Sequence, residues 1–157
     1  MSHLSKKVML VSGESSGDQH AANLFLELKK RCPDVQGIGM GGKKMAAAGI
    51  ELRYDSSNIG VIGVIEVIKR YAEIKRALNA MKSLLLEQRP DLLICVDYKE
   101  FNFKLAGFAR KNGIKVLFYV SPQVWAWRPG RVVEYGKVID MMAVIFPFEV
   151  PFYEKEN

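Results

Sequence analysis

Short apolar runs alternate with helix-periodic segments along the whole chain, and this alternation limits the possible folds more than any other feature. Six runs have the length of a strand and are too uniformly apolar for half-exposed hairpins: KVMLV, VQGIGM, IELRY, LLICVD, KVLFYV and MMAVIF. Strand, helix and strand repeated in this way predict a parallel sheet covered by helices on both faces. The predicted fold class is therefore α/β, with a Rossmann-like parallel sheet.

Three helices are predicted between these strands from the spacing of apolar residues. The first has four apolar residues on one face: Ala21, Leu24, Phe25 and Leu28. The second runs between residues 70 and 88 and repeats its apolar residues by threes and fours: Tyr71, Ile74, Leu78, Met81 and Leu85. Pro90 closes this helix before the next strand. The third covers residues 103–112, and Gly113 is well placed as its left-handed C-terminal cap.

The composition agrees with one folded domain of 157 residues. Apolar residues make up 49% of the chain and charged residues 25%, close to the soluble globular average. No apolar run is long enough to span a bilayer and no signal peptide precedes the first strand, so we expect a cytoplasmic protein. Cys32 and Cys95 lack CxxC spacing, and we expect neither a disulfide nor a metal site. The formal charge of +6 suits nucleic acid, an anionic substrate or an anionic membrane equally well.

Ligands of an open parallel sheet bind beyond the carboxyl ends of its strands, so the loops there hold the chemistry. The first of these loops, SGESSGD, has glycines for a tight turn but lacks the lysine of a phosphate-binding loop. Glu14 and Asp18 bring negative charge to a helix start that normally attracts anions, so the loop suits the polar groups of a sugar better than a nucleotide. Alternatively, Ser15, Ser16 or Asp18 only caps the helix that follows.

Asp97 is the candidate general base. It follows five apolar residues at the carboxyl end of a strand, where an α/β enzyme places such a group. The structural alternative is that Asp97 binds backbone N–H groups or caps the next helix, although Asn102 is closer to the start of that helix. In the loop GGKK, Lys43 and Lys44 either meet a phosphate at a helix start or are solvated surface lysines.

Two further stretches are candidates for contact with a ligand or a membrane. In YVSPQVWAWRPGR the tryptophans either cover the sheet or form a wall of a substrate site, with Arg128 and Arg131 available to an anion. Residues 59–68 are apolar and precede a basic helix face made by Lys69, Arg70, Lys75, Arg76 and Lys82. The apolar run is either a core segment or a contact with anionic lipid. The basic residues lack interleaved exposed aromatics, so we expect no nucleic-acid partner.

Seven stretches, in order over essentially the whole chain, resemble the lipid-A-disaccharide synthase family: SGESSGD, GMGGKKM, VIGVIEV, RPDLLICVD, FNF, YVSPQVWAWR and FPFEVPFY. The last two are the most specific. The resemblance implies an inverting glycosyltransferase of two Rossmann domains, peripheral on the cytoplasmic face of the bacterial inner membrane. Such an enzyme joins UDP-2,3-diacylglucosamine to 2,3-diacylglucosamine 1-phosphate by a β-1,6 bond and releases UDP, without a cofactor or metal ion.

The resemblance also implies roles for single residues. Asp97 matches the base for the acceptor's 6-hydroxyl, and the first loop matches the one that faces the reacting sugars, where carboxylates stabilise an oxocarbenium-like transition state. The substrate-binding residues predicted in the matching motifs are Glu14, Ser15, Ser16, Asp18, Asn102, Ser121, Trp125 and Arg128. Where the family pattern reads Asp-x-Pro-Asp-Phe-Asn, this chain has Lys99 in place of the proline and Glu100 in place of the second aspartate. The loss of the proline frees the backbone of that loop.

The match covers roughly the N-terminal half of the family. We therefore expect residues 1–157 to form a single acceptor-side domain, with the domain for the UDP-sugar donor absent and the isolated chain inactive. The alternative is a non-catalytic Rossmann-like module that binds a nucleotide through GMGGKK or associates with a partner. The affinity of the isolated chain for nucleotides distinguishes nucleotide binding from the enzymatic role.

Overall fold

A computed structural model describes residues 5–58, 64–122, 126, 128 and 130–155 of the chain. Among them are six strands: β1 (Lys7–Ser12), β2 (Gln36–Gly41), β3 (Glu51–Asp55), β4 (Leu92–Val96), β5 (Lys115–Tyr119) and β6 (Met141–Ala143). The helices of the same residues are α1 (Ser15–Arg31), α2 (Lys43–Ala47), α3 (Val64–Gln88), α4 (Lys99–Lys111), α5 (Arg131–Val138) and α6 (Val150–Glu154). All six predicted strands are confirmed.

The strands form one sheet in the order β3-β2-β1-β4-β5-β6, and every pairing is parallel. The predicted α/β class with a Rossmann-like parallel sheet is therefore confirmed. β1 and β4 are neighbours at the centre, with Val11 opposite Cys95 and Ser12 opposite Val96. The strand order reverses between them, and a crevice at the carboxyl edge of such a switch point is the usual ligand site of this architecture.

Apolar side chains cover both faces of the sheet, so the strands are buried on two sides. One cluster packs α3, α4 and α5 against the sheet and includes Met9, Met81 and Leu105. The other packs α1 and α2 against the opposite face and includes Leu10 and Phe25. Met9 and Leu10 point to opposite faces because side chains alternate along a strand. This two-sided burial explains why the strand sequences are continuously apolar.

Two predicted helices differ from the structure, α4 in its first residue and α3 in one of its core positions. α4 begins at Lys99 rather than at residue 103, because a left-handed turn reverses the chain directly after β4. Its predicted end is confirmed, since Gly113 has φ 75° and the N–H of Ile114 donates to the carbonyl of Ala109 at 3.0 Å. The prediction that Tyr71 on α3 belongs to the core is wrong, because this side chain is 68% exposed. No helix within the described ranges is long and apolar enough to cross a membrane.

Candidate functional site

Glu14 and Asp97 form a carboxyl pair at the carboxyl edge of the two central strands. Glu14 follows β1 by two residues and Asp97 follows β4 by one, and the ends of these strands lie side by side at Ser12 and Val96. The two side chains line the same pocket, and the charge of Asp97 acts on Glu14. The sheet therefore joins two acids that are far apart in the sequence.

The electrostatic surroundings disfavour the ionised form of Glu14. The negative charge of Asp97 is the main cause that raises the pKa of Glu14, and burial and the hydrogen bond to Asp97 raise it further. The charges of Lys99 and Arg70 act in the opposite direction. In its protonated form the carboxyl group of Glu14 is a hydrogen-bond donor next to Asp97.

A left-handed turn presents Asp97 to the first loop. Asp97 and Tyr98 have φ 53° and 50°, a region that is unfavourable for residues with a Cβ atom. The ring of Tyr98 stacks on Phe101 with centroids 5.0 Å apart and lies over Gly13, where an added Cβ would come within 2.2 Å of it. Proline at position 99 would restrict Tyr98 to extended backbone, so Lys99 is compatible with this turn. Tyr98 was not predicted as a site residue, although it directly follows Asp97.

Two pockets adjoin the pair. One has a volume of about 530 Å³ and is lined by Glu14, Ile74 of α3 and residues 97–101. The other has a volume of about 430 Å³ and is lined by residues of the first loop together with Lys43, Lys44 and Ser57. Glu14 borders both pockets, and Asp97 lines the larger of the two.

Asp18 is buried and caps a helix other than its own. Its Oδ1 accepts hydrogen bonds from the backbone N–H of Gly42 at 2.8 Å and Met45 at 3.1 Å, and its Oδ2 accepts one from Lys44 at 3.1 Å. These bonds cap α2. The alternative prediction, that Ser15, Ser16 or Asp18 caps the following helix, is wrong, because no side chain caps α1. The N–H groups that a phosphate would need at GGKK are thus already occupied by a carboxylate.

The remaining first-loop candidates and Asn102 differ in their access to a ligand. Ser15 and Ser16 are exposed, and Ser15 lines the smaller pocket. Asn102 is 0% exposed, and its side-chain amide donates only to main-chain carbonyls. No atom of Asn102 is therefore available to a ligand in this conformation.

Ser121 holds the C-terminal segment to the loop after β5. Its hydroxyl donates to Oε1 of Glu149 at 3.2 Å and lies 2.7 Å from the hydroxyl of Tyr153. Oε2 of the same glutamate accepts the N–H of Phe146 at 3.0 Å. Val120, next to Ser121, has φ 69°, which is rare for a β-branched residue and needs such support. No sequence pattern links Ser121 with residues about thirty positions later.

The arginines of the tryptophan-rich stretch have different surroundings. Arg131 is ion-paired with Glu100 and Glu134 and lies over the ring of Phe103 at 5.2 Å, so the expectation that Arg131 is available to an anion is wrong. The hydrogen bond from Arg131 is the main cause that lowers the pKa of Glu100. Arg128 is exposed, and its charge also acts on Glu100. Trp125 lies outside the described residues.

Two large apolar side chains of α3, those of Ile68 and Tyr71, are exposed. Residues 59–63 of the predicted lipid-contacting run lie outside the described part, but Ile68 at its end is 70% exposed. Tyr71 is exposed beside it, and Arg70 acts electrostatically on Glu14 and Tyr98. The spacing of Arg70 and Ile74, four residues apart on one helix face, was the only sequence indication that Arg70 approaches the site. No described group of three His, Cys, Asp or Glu side chains is arranged to hold a metal ion.

Comparison with known proteins gives consistent results. The family model described as lipid-A-disaccharide synthetase matches residues 8–157. A lipid-A-disaccharide synthase from Nitrosococcus oceani is 55% identical over 148 residues, which cover 94% of this chain and 38% of the relative. One from Geobacter sulfurreducens is 48% identical over 151 residues, or 96% of this chain and 39% of the relative. The chain thus spans about two-fifths of the length of these relatives.

A solved structure shares the fold at low sequence identity. It is a putative UDP-N-acetylglucosamine 2-epimerase from Listeria monocytogenes, with a TM-score of 0.67 and 13% identity over 98% of this chain and 42% of that one. At this identity the likeness concerns the fold alone.

Proposed function

The chain belongs to the lipid-A-disaccharide synthetase family, and from this premise we propose that it is the acceptor-side domain of an inverting glycosyltransferase of lipid A synthesis. The acceptor is 2,3-diacylglucosamine 1-phosphate, a lipid-linked sugar. The donor, UDP-2,3-diacylglucosamine, is held by a second domain that residues 1–157 do not include. The observation that carries the proposal is the Glu14–Asp97 pair at the switch point of the sheet.

The chemistry that the pair supports is a single displacement. Asp97 accepts the proton of the acceptor's 6-hydroxyl while that oxygen forms a bond to the anomeric carbon of the donor. The bond from this carbon to the diphosphate breaks, and UDP leaves with the electron pair. Glu14 donates a hydrogen bond that orients Asp97, and the negative charge of the pair stabilises the cationic sugar in the transition state.

Two cations next to the pair suit the phosphate of the acceptor. Arg70 and Lys99 both lower the pKa of Glu14, so they lie near it, and neither forms a salt bridge with a described residue. Lys99 lines the larger pocket, and Ile74, one turn after Arg70, lines it from α3. A phosphomonoester bound there places a hexose beside Asp97.

The exposed side chains of Ile68 and Tyr71 on α3 support contact with a membrane surface, which we propose is the cytoplasmic face of the inner membrane. Ile68 and Tyr71 are exposed, and Lys69 between them suits anionic headgroups. The same helix continues to Ile74 in the larger pocket. An acylated acceptor therefore reaches the pocket along α3 without leaving the membrane surface.

The alternative of a nucleotide-binding module has weaker support. It needs free N–H groups at GMGGKK, and Asp18 already binds those of Gly42, Lys44 and Met45. A nucleotide phosphate at this place would also meet the charge of the buried carboxylate.

The test uses a hybrid enzyme in which residues 8–157 replace the matching segment of a full-length relative. Transfer of sugar from labelled donor to acceptor is measured for the hybrid, for its Asp97→Asn variant and for the 157-residue chain alone. We expect turnover by the hybrid, a strong loss with Asp97→Asn, and none by the chain alone. Turnover by the chain alone at ordinary enzyme rates, or full activity of Asp97→Asn, contradicts the proposal.

A further inference from the structure

We propose that Asn102 is a positioning residue that fixes the geometry of the Glu14–Asp97 pair by fastening the ends of β1 and β4 to each other. Its effect on catalysis rests on the proposed function, whereas its effect on the geometry does not. Asn102 lies in the first turn of α4 and is 0% exposed, so it acts through the main chain and not on a ligand.

The contacts of Asn102 join both strands to the turn. Its Nδ2 donates to the carbonyl oxygen of Asp97 at 2.7 Å, to that of Val11 at 3.2 Å and to that of Val96 at 3.4 Å. Val11 is the penultimate residue of β1 and Val96 is the last residue of β4. One amide group therefore holds the points at which the chain leaves the sheet towards each carboxyl group.

The orientation of the amide follows from its surroundings. If oxygen and nitrogen were exchanged, Oδ1 would face three carbonyl oxygens with no hydrogen to share, so Nδ2 must point to them. Oδ1 is then buried and has no hydrogen-bond partner among the described residues. An unsatisfied buried acceptor reduces stability, and only the three donated bonds offset this cost.

The donated bonds support an unfavourable backbone. Asp97 and Tyr98 are consecutive left-handed residues with a Cβ atom, and such strain persists only where the surroundings enforce it. The shortest bond of Asn102 goes to Asp97, the first residue of this turn. Without the amide, the turn can relax towards ordinary backbone angles, and the carboxyl group of Asp97 moves away from Glu14.

The first test measures the pair directly in the 157-residue chain. The side-chain carboxyl of Glu14 is titrated by NMR in the unchanged protein, in Asn102→Ala, and in the control Leu105→Ala, which removes a fully buried side chain of the same helix. Glu14 is faced by the charges of Asp97, Lys99 and Arg70, and the charge of Asp97 has the largest effect. We expect the raised pKa of Glu14 to fall towards its ordinary value in Asn102→Ala and to stay raised in Leu105→Ala.

A raised pKa of Glu14 in folded Asn102→Ala overturns the proposal. If Asn102→Ala does not fold, the same titration is made on Asn102→Ser, because a hydroxyl retains one donor for the nearest carbonyl. A pKa of Glu14 between those of the unchanged protein and an ordinary carboxyl is then expected, and an unchanged value overturns the proposal.

The second test is the hybrid enzyme with Asn102→Ala. A misplaced catalytic group commonly costs about 10²-fold in rate, so we expect a loss of that size in kcat with little change in KM. A changed titration of Glu14 with an unchanged kcat refutes the catalytic role in the proposed function and leaves the positioning role intact. An unchanged titration refutes the positioning role, whatever the rate.

Discussion

At the scale of single residues, the proposed chemistry of this domain depends on the Glu14–Asp97 pair. Neither acid alone distinguishes a catalytic site from a loop, because exposed acids after strands are common. Both residues line one pocket and the charge of Asp97 raises the pKa of Glu14, which makes the pair a candidate for proton transfer. Two predictions at this scale separate the role of each acid.

Asp97→Asn in the hybrid enzyme removes the proton acceptor and keeps the shape of the side chain. We expect kcat to fall by about 10²- to 10⁴-fold with KM nearly unchanged, as for loss of a general base. Steady-state kinetics measure this change, with an unchanged melting temperature as evidence of folding. Asp91→Asn is the matched control, since Asp91 precedes the amino end of the same strand and binds the N–H of Lys7. Equal rates for the two variants would remove Asp97 from the mechanism.

Glu14→Gln changes the pH dependence of stability. Because folding raises the pKa of Glu14, its ionised form is disfavoured in the folded state, so stability falls as pH rises from the ordinary carboxyl pKa through the raised value. Glutamine still donates to Asp97 and carries no charge. We expect a higher melting temperature than that of the unchanged chain at pH 7, with a gain in the free energy of unfolding of less than about 1 kcal/mol because the site is partly exposed. The gain disappears at about pH 3, where Glu14 is protonated in both the folded and the unfolded chain. A lower melting temperature of Glu14→Gln at pH 7 would contradict the unfavourable interaction between the charges of Glu14 and Asp97.

At the scale of elements, two short segments depend on side chains of other elements. α2 has five residues and is too short to be stable alone, so the cap from Asp18 on α1 is needed to form it. The Pro147–Glu149 turn and α6 are held in the same way by Ser121.

Asp18→Ala should destabilise the domain by about 1–3 kcal/mol, since three buried N–H groups lose a charged acceptor. Asp18→Asn keeps Oδ1, which serves Gly42 and Met45, and should cost less. Urea unfolding followed by circular dichroism measures both. Ser16→Ala is the control: Ser16 is exposed, so a change within about 0.5 kcal/mol is expected. Equal stability of Asp18→Ala and the unchanged chain would argue against the capping role.

The start of α3 should bind anionic membranes. We expect the chain to float with vesicles that contain anionic lipid at low salt and to be released by added salt, because exposed charges are screened within about 8 Å at physiological ionic strength. Ile68→Ser should weaken this binding. Leu86→Ser, a similar change at the other end of the helix where the side chain is 47% exposed, should not. Equal binding to neutral and anionic vesicles at both salt concentrations would favour a plain surface helix.

At the scale of the whole molecule, the parallel sheet brings the candidate site residues to one edge, and the chain spans about two-fifths of the length of its relatives. If the donor site belongs to another domain, the isolated chain should not bind nucleotides. Calorimetric titration with UDP, ATP and NAD should give no heat of binding at micromolar concentrations. Tight binding that Lys43→Ala abolishes would support the nucleotide-binding alternative and count against the proposed division of the site.

Local patterns in the sequence determined the secondary structure and the sheet. Uniformly apolar strands imply burial on both faces, which a parallel sheet with helices on both sides provides, and the carboxyl ends of its strands must then share one edge. Asp97 and the first loop were therefore predictable as neighbours. Gly113 was predictable as a helix end, because a left-handed cap depends on a backbone conformation that glycine adopts without strain.

Only the tertiary structure decided which polar groups meet. Asn102 and Val11 are 91 positions apart and Asp18 and Gly42 are 24 apart, and the ion pair of Arg131 with Glu100 spans 31. No periodicity encodes such pairs, since each depends on strand order, register and the exact start of a helix. The reason is physical: hydrophobic periodicity reports which face of an element is buried, whereas hydrogen bonds and pKa values depend on distances of a few ångströms between elements.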